Sequence, residues 1–306
     1  MIYIIKHITD YIYDDYVSYC HNLATLKPRN INGQSLLEFF LEIEPKPSEL
    51  SERIDFFGNH ATRFSIQEQH KKLRVATQSK VSRDNQYFAN HLIDCQSNHV
   101  TLETALNNLQ SLEPEIIDSK QYTLESPLIR KLSPLFKEYA LRSFAQNRPV
   151  FESCSELTKR IFTDFEFVTG FTNVATPINE VMEEKKGVCQ DFAQVAIACL
   201  RSVGLPARYI SGYIETIPPA GKEKLVGADA SHAWFSLYIP TFGWIDFDPT
   251  NNLIPIDQHI TIAWGRDYYD VPPLKGVIFS NGKNTMKVSV DIRPDNSNTT
   301  GLNTRI

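Results

Sequence analysis

Three residues of types that can carry out acyl transfer lie where the surrounding sequence would hold them in place: Cys189, His232 and Asp248. Cys189 opens an apolar stripe of helical spacing, Phe192, Ala196, Leu200 and Val203, which Gly204-Leu205-Pro206 ends. A thiol at a helix N-terminus faces unpaired N–H groups and the positive end of the dipole, which favour the thiolate and can hold a developing oxyanion. An isolated cysteine is nevertheless more often a small buried hydrophobe. Cys199, deep in the same helix, is expected to be one.

His232 opens the run His232 to Ile239, whose alternation places His232, Trp234, Ser236 and Tyr238 on one face of a strand and Ala233, Phe235, Leu237 and Ile239 on the core face. The histidine is thereby expected to stand off the main core. Pro240-Thr241-Phe242-Gly243 reads as a turn that reverses the chain into Trp244 to Asp248, so a hairpin would carry an acid back towards the histidine. Counting from the turn does not align Asp248 with His232 without a bulge or twist, and Asp246 remains a competitor. Asp248 is preferred because Asp-Pro-Thr ends the strand at the end where His232 begins. In such a set the imidazole takes the thiol proton and the carboxylate fixes its tautomer and orientation.

The elements that must position these residues are legible in outline. Residues 1–83 read as successive strands, Tyr3 to Tyr13, Leu37 to Ile43, Thr62 to Gln67 and Leu73 to Val81, separated by turn clusters. This is expected to be a small antiparallel β domain, with 84–98 as a linker and 99–294 as the catalytic domain. In the latter, Leu128, Leu132, Leu135 and Phe136 suggest a helix after Ser126-Pro127. Ser153-x-x-Glu156 suggests a capping box ahead of Leu157 and Ile161, and Thr176-Pro177 a helix start running to Lys185 or Lys186. Strands are expected over Ala207 to Thr216, Ala230 to Ile239 and Gly243 to Phe247, with a loop from Ile217 to Asp229. Residues 295–306 have the polar composition of a disordered tail.

The chain has 306 residues, enough to bury a large core. A net charge of −5 with interspersed signs argues against nucleic-acid binding. The absence of a long apolar run and of a signal-peptide pattern argues against a membrane partner. Five scattered cysteines with no CxxC pair argue against a disulfide framework, and point to a reducing, cytoplasmic setting. Scattered histidines without HExxH, and the lack of an EF-hand loop, lead to an expectation of no metal and no cofactor.

The ordered blocks Gly187 to Ala193, Gly204 to Tyr209 with Ser211-Gly212-Tyr213, Ser231 to Trp234, and Gly243-Trp244 through Phe247 to Asn251 closely resemble the bacterial transglutaminase-like proteins. The resemblance continues through Gly265 to Tyr268 and Val271-Pro272-Pro273. His7 to Tyr11 and Asp55 to Asn59 resemble the β domain that precedes the catalytic domain in this subgroup, so about residues 1–280 are covered. The resemblance implies an α+β fold with a papain-like core, in which a helix bearing cysteine packs on an antiparallel sheet. It assigns Cys189, His232 and Asp248 as catalytic. Animal transglutaminases draw a second oxyanion donor from an upstream tryptophan; here tryptophan occurs only as Trp234, Trp244 and Trp264, so that donor is missing in sequence order.

Gln190, Asp191, Arg208, Tyr209, Tyr213, Trp234 and Trp244 fall in the matched blocks as pocket or supporting residues. Asp191 reads best as a helix-terminal capping group. Arg208, Tyr209 and Tyr213 read best as packing or buried hydrogen bonding, and the two tryptophans could wall an acyl pocket. The expected function is attack on a peptide or glutamine amide through a thioester on Cys189, resolved by water in a protease or amidase. The alternatives are a protein-glutamine transglutaminase, with an amine as acceptor, and a non-catalytic binding or assembly module. The expected partner is a peptide or protein substrate.

Overall fold

Period-two alternation at the start of the chain produces long strands that each bury one face: Tyr3, Ile5, His7 and Thr9 all point inward from the first. In the computed structural model, which describes residues 1–216 and 230–295, six strands come first. They are β1 (Ile2–Val17), β2 (Tyr19–Ala24), β3 (Gln34–Glu44), β4 (Glu49–Ile54), β5 (His60–Ile66) and β6 (His70–Arg83). Helices α1 (Asn85–Gln96), α2 (Leu102–Asn108), α3 (Pro114–Lys120), α4 (Pro134–Leu141) and α5 (Val150–Asp164) follow. Then come β7 (Glu166–Phe167), α6 (Ile178–Glu184), β8 (Lys186–Gly187) and α7 (Cys189–Ser202). The remaining strands are β9 (Ala207–Ile214), β10 (Ala230–Ile239), β11 (Gly243–Phe247), β12 (His259–Gly265), β13 (Leu274–Phe279) and β14 (Asn284–Pro294).

Three four-stranded antiparallel sheets result, in the orders β14-β1-β6-β3, β13-β2-β5-β4 and β11-β10-β9-β12. The first two form the N-terminal β region and the third carries the chemistry. The chain's last two strands do not stay with the third sheet: β13 pairs with β2 and β14 with β1. The spatial partition therefore differs from a division at 1–83 and 99–294, because the outer edges of β1 and β2 are completed from the far end of the chain. The expected linker 84–98 contains helix α1, capped by Asp84, whose carboxylate accepts from the Tyr87 N–H. The expected loop 217–229 and, apart from Asp295, whose N–H donates to the Ile2 carbonyl, the expected tail 295–306 lie outside the described residues.

Several helix starts differ from the sequence expectation. The helix expected after Ser126-Pro127 begins at Pro134 instead, because the 126–133 stretch is held in turns, where the Leu128 N–H donates to Asp267 Oδ2 at 2.7 Å. Ser153 lies inside α5 rather than capping it: the Val150 N–H is taken by the Val100 carbonyl and Pro149 is the N-cap, so the helix starts four residues earlier. Leu157 and Ile161 nevertheless fill the buried face. Pro177, not Thr176, caps α6, and Lys185 ends it in the left-handed region (φ 52°).

Helix α7 is enclosed on nearly all sides. It packs on β9 and β10, and α4, α5 and α6 cover it from the other side. Phe192, Ala196, Leu200 and Cys199 are buried as expected, but so are Val195, Ile197 and Ala198 around the rest of its circumference, the pattern of a central helix. Arg201 near its end is tied down by the carbonyls of Leu124, Ala207 and Arg266 and by Ser126 Oγ. Gly204 follows with φ 88°, a conformation that ends the helix at little steric cost. No helix among the described residues is long and apolar enough to cross a membrane.

Candidate active site

Cys189 occupies the first position of α7, following Val188 in extended backbone. The start is rigid because Asp191 reaches back, its Oδ2 accepting from the Val188 N–H at 2.8 Å and from Thr172 Oγ1 at 2.6 Å. Burial raises the Asp191 pKa, and these two hydrogen bonds oppose that rise. Its capping role is the one its sequence position suggested. A backbone N–H in this first turn has no partner within the helix, so the geometry leaves a donor beside the sulfur. Cys189 is half-buried, whereas Cys20, Cys95, Cys154 and Cys199 are buried.

His232 does not stand off the core. Strand β10 is interior to its sheet and covered on both sides: His232, Trp234 and Ser236 are as buried as Ala233 and Phe235. The reason is the N-terminal β region, which roofs the second face. Gln34 exchanges two hydrogen bonds with the backbone of Thr261 (2.8 and 2.9 Å), and Asn59 does the same with Trp264 (2.8 and 3.0 Å), on the outer strand β12.

The competition between the two acids is resolved by register. Ser236 lies opposite Asp246 and Phe235 opposite Phe247, so Asp246 sits well inside the hairpin, where it accepts from Trp234 Nε1 at 2.9 Å. After Phe247 the chain leaves the ladder, and Asp248 pairs with Leu253 through two backbone hydrogen bonds. That departure turns its carboxylate to His232, with Nε2 to Oδ2 at 2.8 Å. Oδ2 also meets Asn251 Nδ2 at 2.8 Å and His259 Nε2 at 2.9 Å, and Oδ1 accepts from the N–H groups of Thr250 and Asn251.

Burial alone would raise the Asp248 pKa, but hydrogen bonds and attraction from His232 and His259 outweigh it and hold the carboxyl well below its usual range. Burial likewise opposes charge on His232; hydrogen bonds to Asp248 and Cys189 and attraction to both prevail, raising its pKa to about 10. With Nε2 committed to Asp248, Nδ1 is the ring nitrogen left for the sulfur. Burial lowers the pKa of His259, with attraction to Asp248 only partly offsetting it. The arrangement is thus an imidazole set between a carboxylate and the Cys189 sulfur, with its protonated form favoured.

His232, Asp248 and His259 are also ligand-type side chains whose atoms lie within 4.8 Å of one another. Both imidazoles meet the same carboxylate oxygen at hydrogen-bond distance, so each Nε2 serves as a donor and a cation would have to displace both protons. Asn251 and His259 escaped the sequence reading. Asn251 lay within a matched block without a role, and the alternation His259-x-Thr261 was the available signal for a strand.

The remaining expected site residues separate. Gln190 is half-buried in the first turn of α7. Tyr209 is fully buried near Cys189, and its ring meets that of Tyr268 edge-on. Tyr213 turns to the N-terminal region, its hydroxyl 2.8 Å from His7 Nδ1. Trp234 is buried beside His232 and His259 and leaves no room for an acyl chain. Arg208 and Trp244 line a separate cavity further along the sheet, to which Cys189, His232 and Asp248 do not contribute.

Residues 3–82 match the bacterial transglutaminase-like N-terminal region and residues 137–249 the transglutaminase-like superfamily. An uncharacterised protein of Mycobacterium tuberculosis is 37% identical over 302 residues, spanning 95% of this chain and 92% of that one. The chain belongs to the bacterial transglutaminase-like superfamily. A proposed cysteine protease from Cytophaga hutchinsonii has the same fold, with a TM-score of 0.71 at 23% identity over 96% of this chain and 92% of that one. A protein-glutamine gamma-glutamyltransferase of Pseudomonas aeruginosa is 34% identical over 90 residues, 28% of this chain and 14% of that protein. As a transglutaminase-like protein, the chain has the mixed α/β, antiparallel architecture of papain-like cysteine enzymes, preceded by an N-terminal β region.

Proposed function

We propose that the protein is a cysteine-dependent hydrolase of peptide or glutamine-type amides, with Cys189 as nucleophile, His232 as acid and base, and Asp248 as the residue that orients the histidine. The observation that carries this reading is the buried Asp248–His232 pair abutting the half-buried thiol at the start of α7. In the first step Cys189 Sγ, its proton on His232, attacks the amide carbonyl carbon. The carbonyl oxygen takes the electron pair, and a first-turn N–H of α7 stabilises it. As the intermediate collapses, His232 gives its proton to the departing amine and a thioester remains. His232 then takes a proton from water, whose oxygen attacks the thioester; the acid leaves and the thiol is restored.

An amine in place of water would give transfer rather than hydrolysis. The short stretch shared with the Pseudomonas gamma-glutamyltransferase favours keeping that arm in the test. The cytoplasmic setting read from the five scattered cysteines is part of this proposal.

Two measurements test the proposal. The first is alkylation by iodoacetamide against pH, mapped by peptide mass spectrometry. Cys189 is expected to react selectively and below the free-thiol range of about 8.5, and to lose that advantage in His232→Ala. Reaction at Cys189 no faster than at the buried Cys20 or Cys154 would defeat the nucleophile assignment. The second is mass spectrometry of a peptide-amide library with and without an added amine. A hydrolysed product that requires Cys189 is expected; amine incorporation without hydrolysis would turn the assignment to transferase.

A further inference from the structure

Buried arginines in this fold are hydrogen-bonded, with one exception. Arg201 donates to three carbonyls and a hydroxyl and Arg83 to the carbonyls of Pro255 and Ile256, while the half-buried Arg29 donates to Phe57 O and Asn59 Oδ1. Arg208 is nine-tenths buried, yet makes no hydrogen bond or ion pair among the described residues; its Nε, like those of Arg29 and Arg201, is sealed from solvent without a partner, but Arg208 alone of the three has no other bond to hold its guanidinium. Ser236, directly opposite on β10, also has a buried hydroxyl without a partner. Leaving such groups unpaired is costly.

The guanidinium is held from two directions. Trp244 from edge strand β11 and Trp264 from edge strand β12 lie against it, with ring centroids 4.2 and 3.8 Å from Cζ. With indole rings against it from opposite edges of the sheet, what remains for a ligand is the hydrogen-bonding edge of the fork. That edge belongs to a cavity of about 770 Å³ between the catalytic sheet and the N-terminal region, walled by Phe57, Tyr122, Trp244 and Trp264. Asp118 and Asp246 also line it, but neither is within ion-pair distance of Arg208, and Asp246 is engaged by Trp234. The register places Arg208 four residues along the sheet from the His232 row, roughly 13 Å at the usual strand rise.

We infer that this cavity is a binding site for a carboxylate on an aromatic or apolar body, with Arg208 gripping the carboxylate in the plane of its guanidinium and the tryptophans clamping that plane. A planar fork with covered faces matches a carboxylate bidentately. The carboxylate could belong to a small organic acid or to a peptide C-terminus, and both present the same group. The site is separate from Cys189, and the inference stands without the hydrolase assignment.

Tryptophan fluorescence tests it, since Trp244 and Trp264 line the cavity. Protein with Cys189 blocked by iodoacetamide would be titrated with benzoate and benzamide, and with an N-acetylated dipeptide bearing a free C-terminus and its C-terminal amide. At least one acid is expected to give a saturable change, with its amide about tenfold weaker or more, as expected for loss of a charge-assisted bond. The tighter acid identifies the source. Arg208→Gln is expected to abolish the preference for acid over amide. Phe57→Asp, which places a negative charge on the cavity wall without touching the sheet, is expected to weaken the acid and spare the amide. Equal response to acid and amide, no response to either acid, or an acid preference unchanged in Phe57→Asp would overturn the site.

Discussion

At the scale of single residues, the candidate site is an exercise in keeping one buried carboxylate ionised. Asp248 has His232, His259 and Asn251 on one oxygen and two backbone N–H groups on the other. Such a set stabilises the anion strongly enough to override the cost of burial. Asp248→Asn preserves shape but removes the charge that holds His232 protonated. In the proposed mechanism it should lower the Cys189 alkylation rate at neutral pH by about 10²-fold or more, with the protein still folded by circular dichroism. An unchanged rate would show that Asp248 is structural only. The sequence marked Cys189, His232 and Asp248 as candidates because Cys189 opens α7, His232 lies near the start of β10 and Asp248 directly follows β11, each close to a readable boundary. It did not carry His259 or Asn251, whose roles depend on where Asp248 turns after leaving the ladder. Nor did it distinguish Arg208 from an ordinary packed arginine, since that difference lies in what the side chain lacks.

At the scale of elements, the site depends on a sheet whose outer strand is stitched by side chains from elsewhere. Strand β12 has β9 on one side; on the other, Gln34 and Asn59 each supply an amide that satisfies a backbone N–H and C=O as a neighbouring strand would. Replacing either amide by an isosteric apolar group strands two buried backbone groups. Gln34→Leu and Asn59→Leu should each cost about 1–3 kcal/mol in urea unfolding. Their effects should not simply add, since both amides also bond Arg29, Gln34 Nε2 donating to its carbonyl and Asn59 Oδ1 accepting from its guanidinium. A cost within 0.5 kcal/mol of zero, the range of an ordinary surface substitution, would mean that water replaces the amides. This stitching explains the main misreading of the sequence. Alternation in β10 correctly separated its two faces, but the face of His232 was read as standing off the main core, and the chain that covers it lies some two hundred residues upstream. Periodicity reports which residues share a face and is silent on what that face meets.

For the whole molecule, the N-terminal β region and the catalytic sheet are also joined through a neutral histidine. His7 on β1 contacts Tyr213 on β9 at 2.8 Å and Thr9 at 3.0 Å, and burial pushes its pKa down to about 4. A histidine whose folded pKa lies below its unfolded value near 6.5 takes up a proton more readily when unfolded. Its contribution is therefore fully present above pH 6.5 and is lost as the pH falls towards 4. The loss for this one group should reach about 3 kcal/mol at 1.36 kcal/mol per unit. Chemical denaturation from pH 7 to pH 4 should show a fall in stability that His7→Gln reduces. His259, also depressed, acts in the same direction and leaves a remainder. An identical fall in the variant would remove His7 from the account.

The pairing of β1 with β6 on one side and β14 on the other has a consequence for biosynthesis. Translation delivers β1 first and β6 within the next few dozen residues, while β14 emerges only after the whole catalytic sheet has been made. Throughout that interval one edge of β1 is an open row of backbone donors and acceptors, available to a neighbouring nascent chain on the same message. Slow elongation or crowded polysomes would prolong the exposure, so the burden on chaperones should fall on β1.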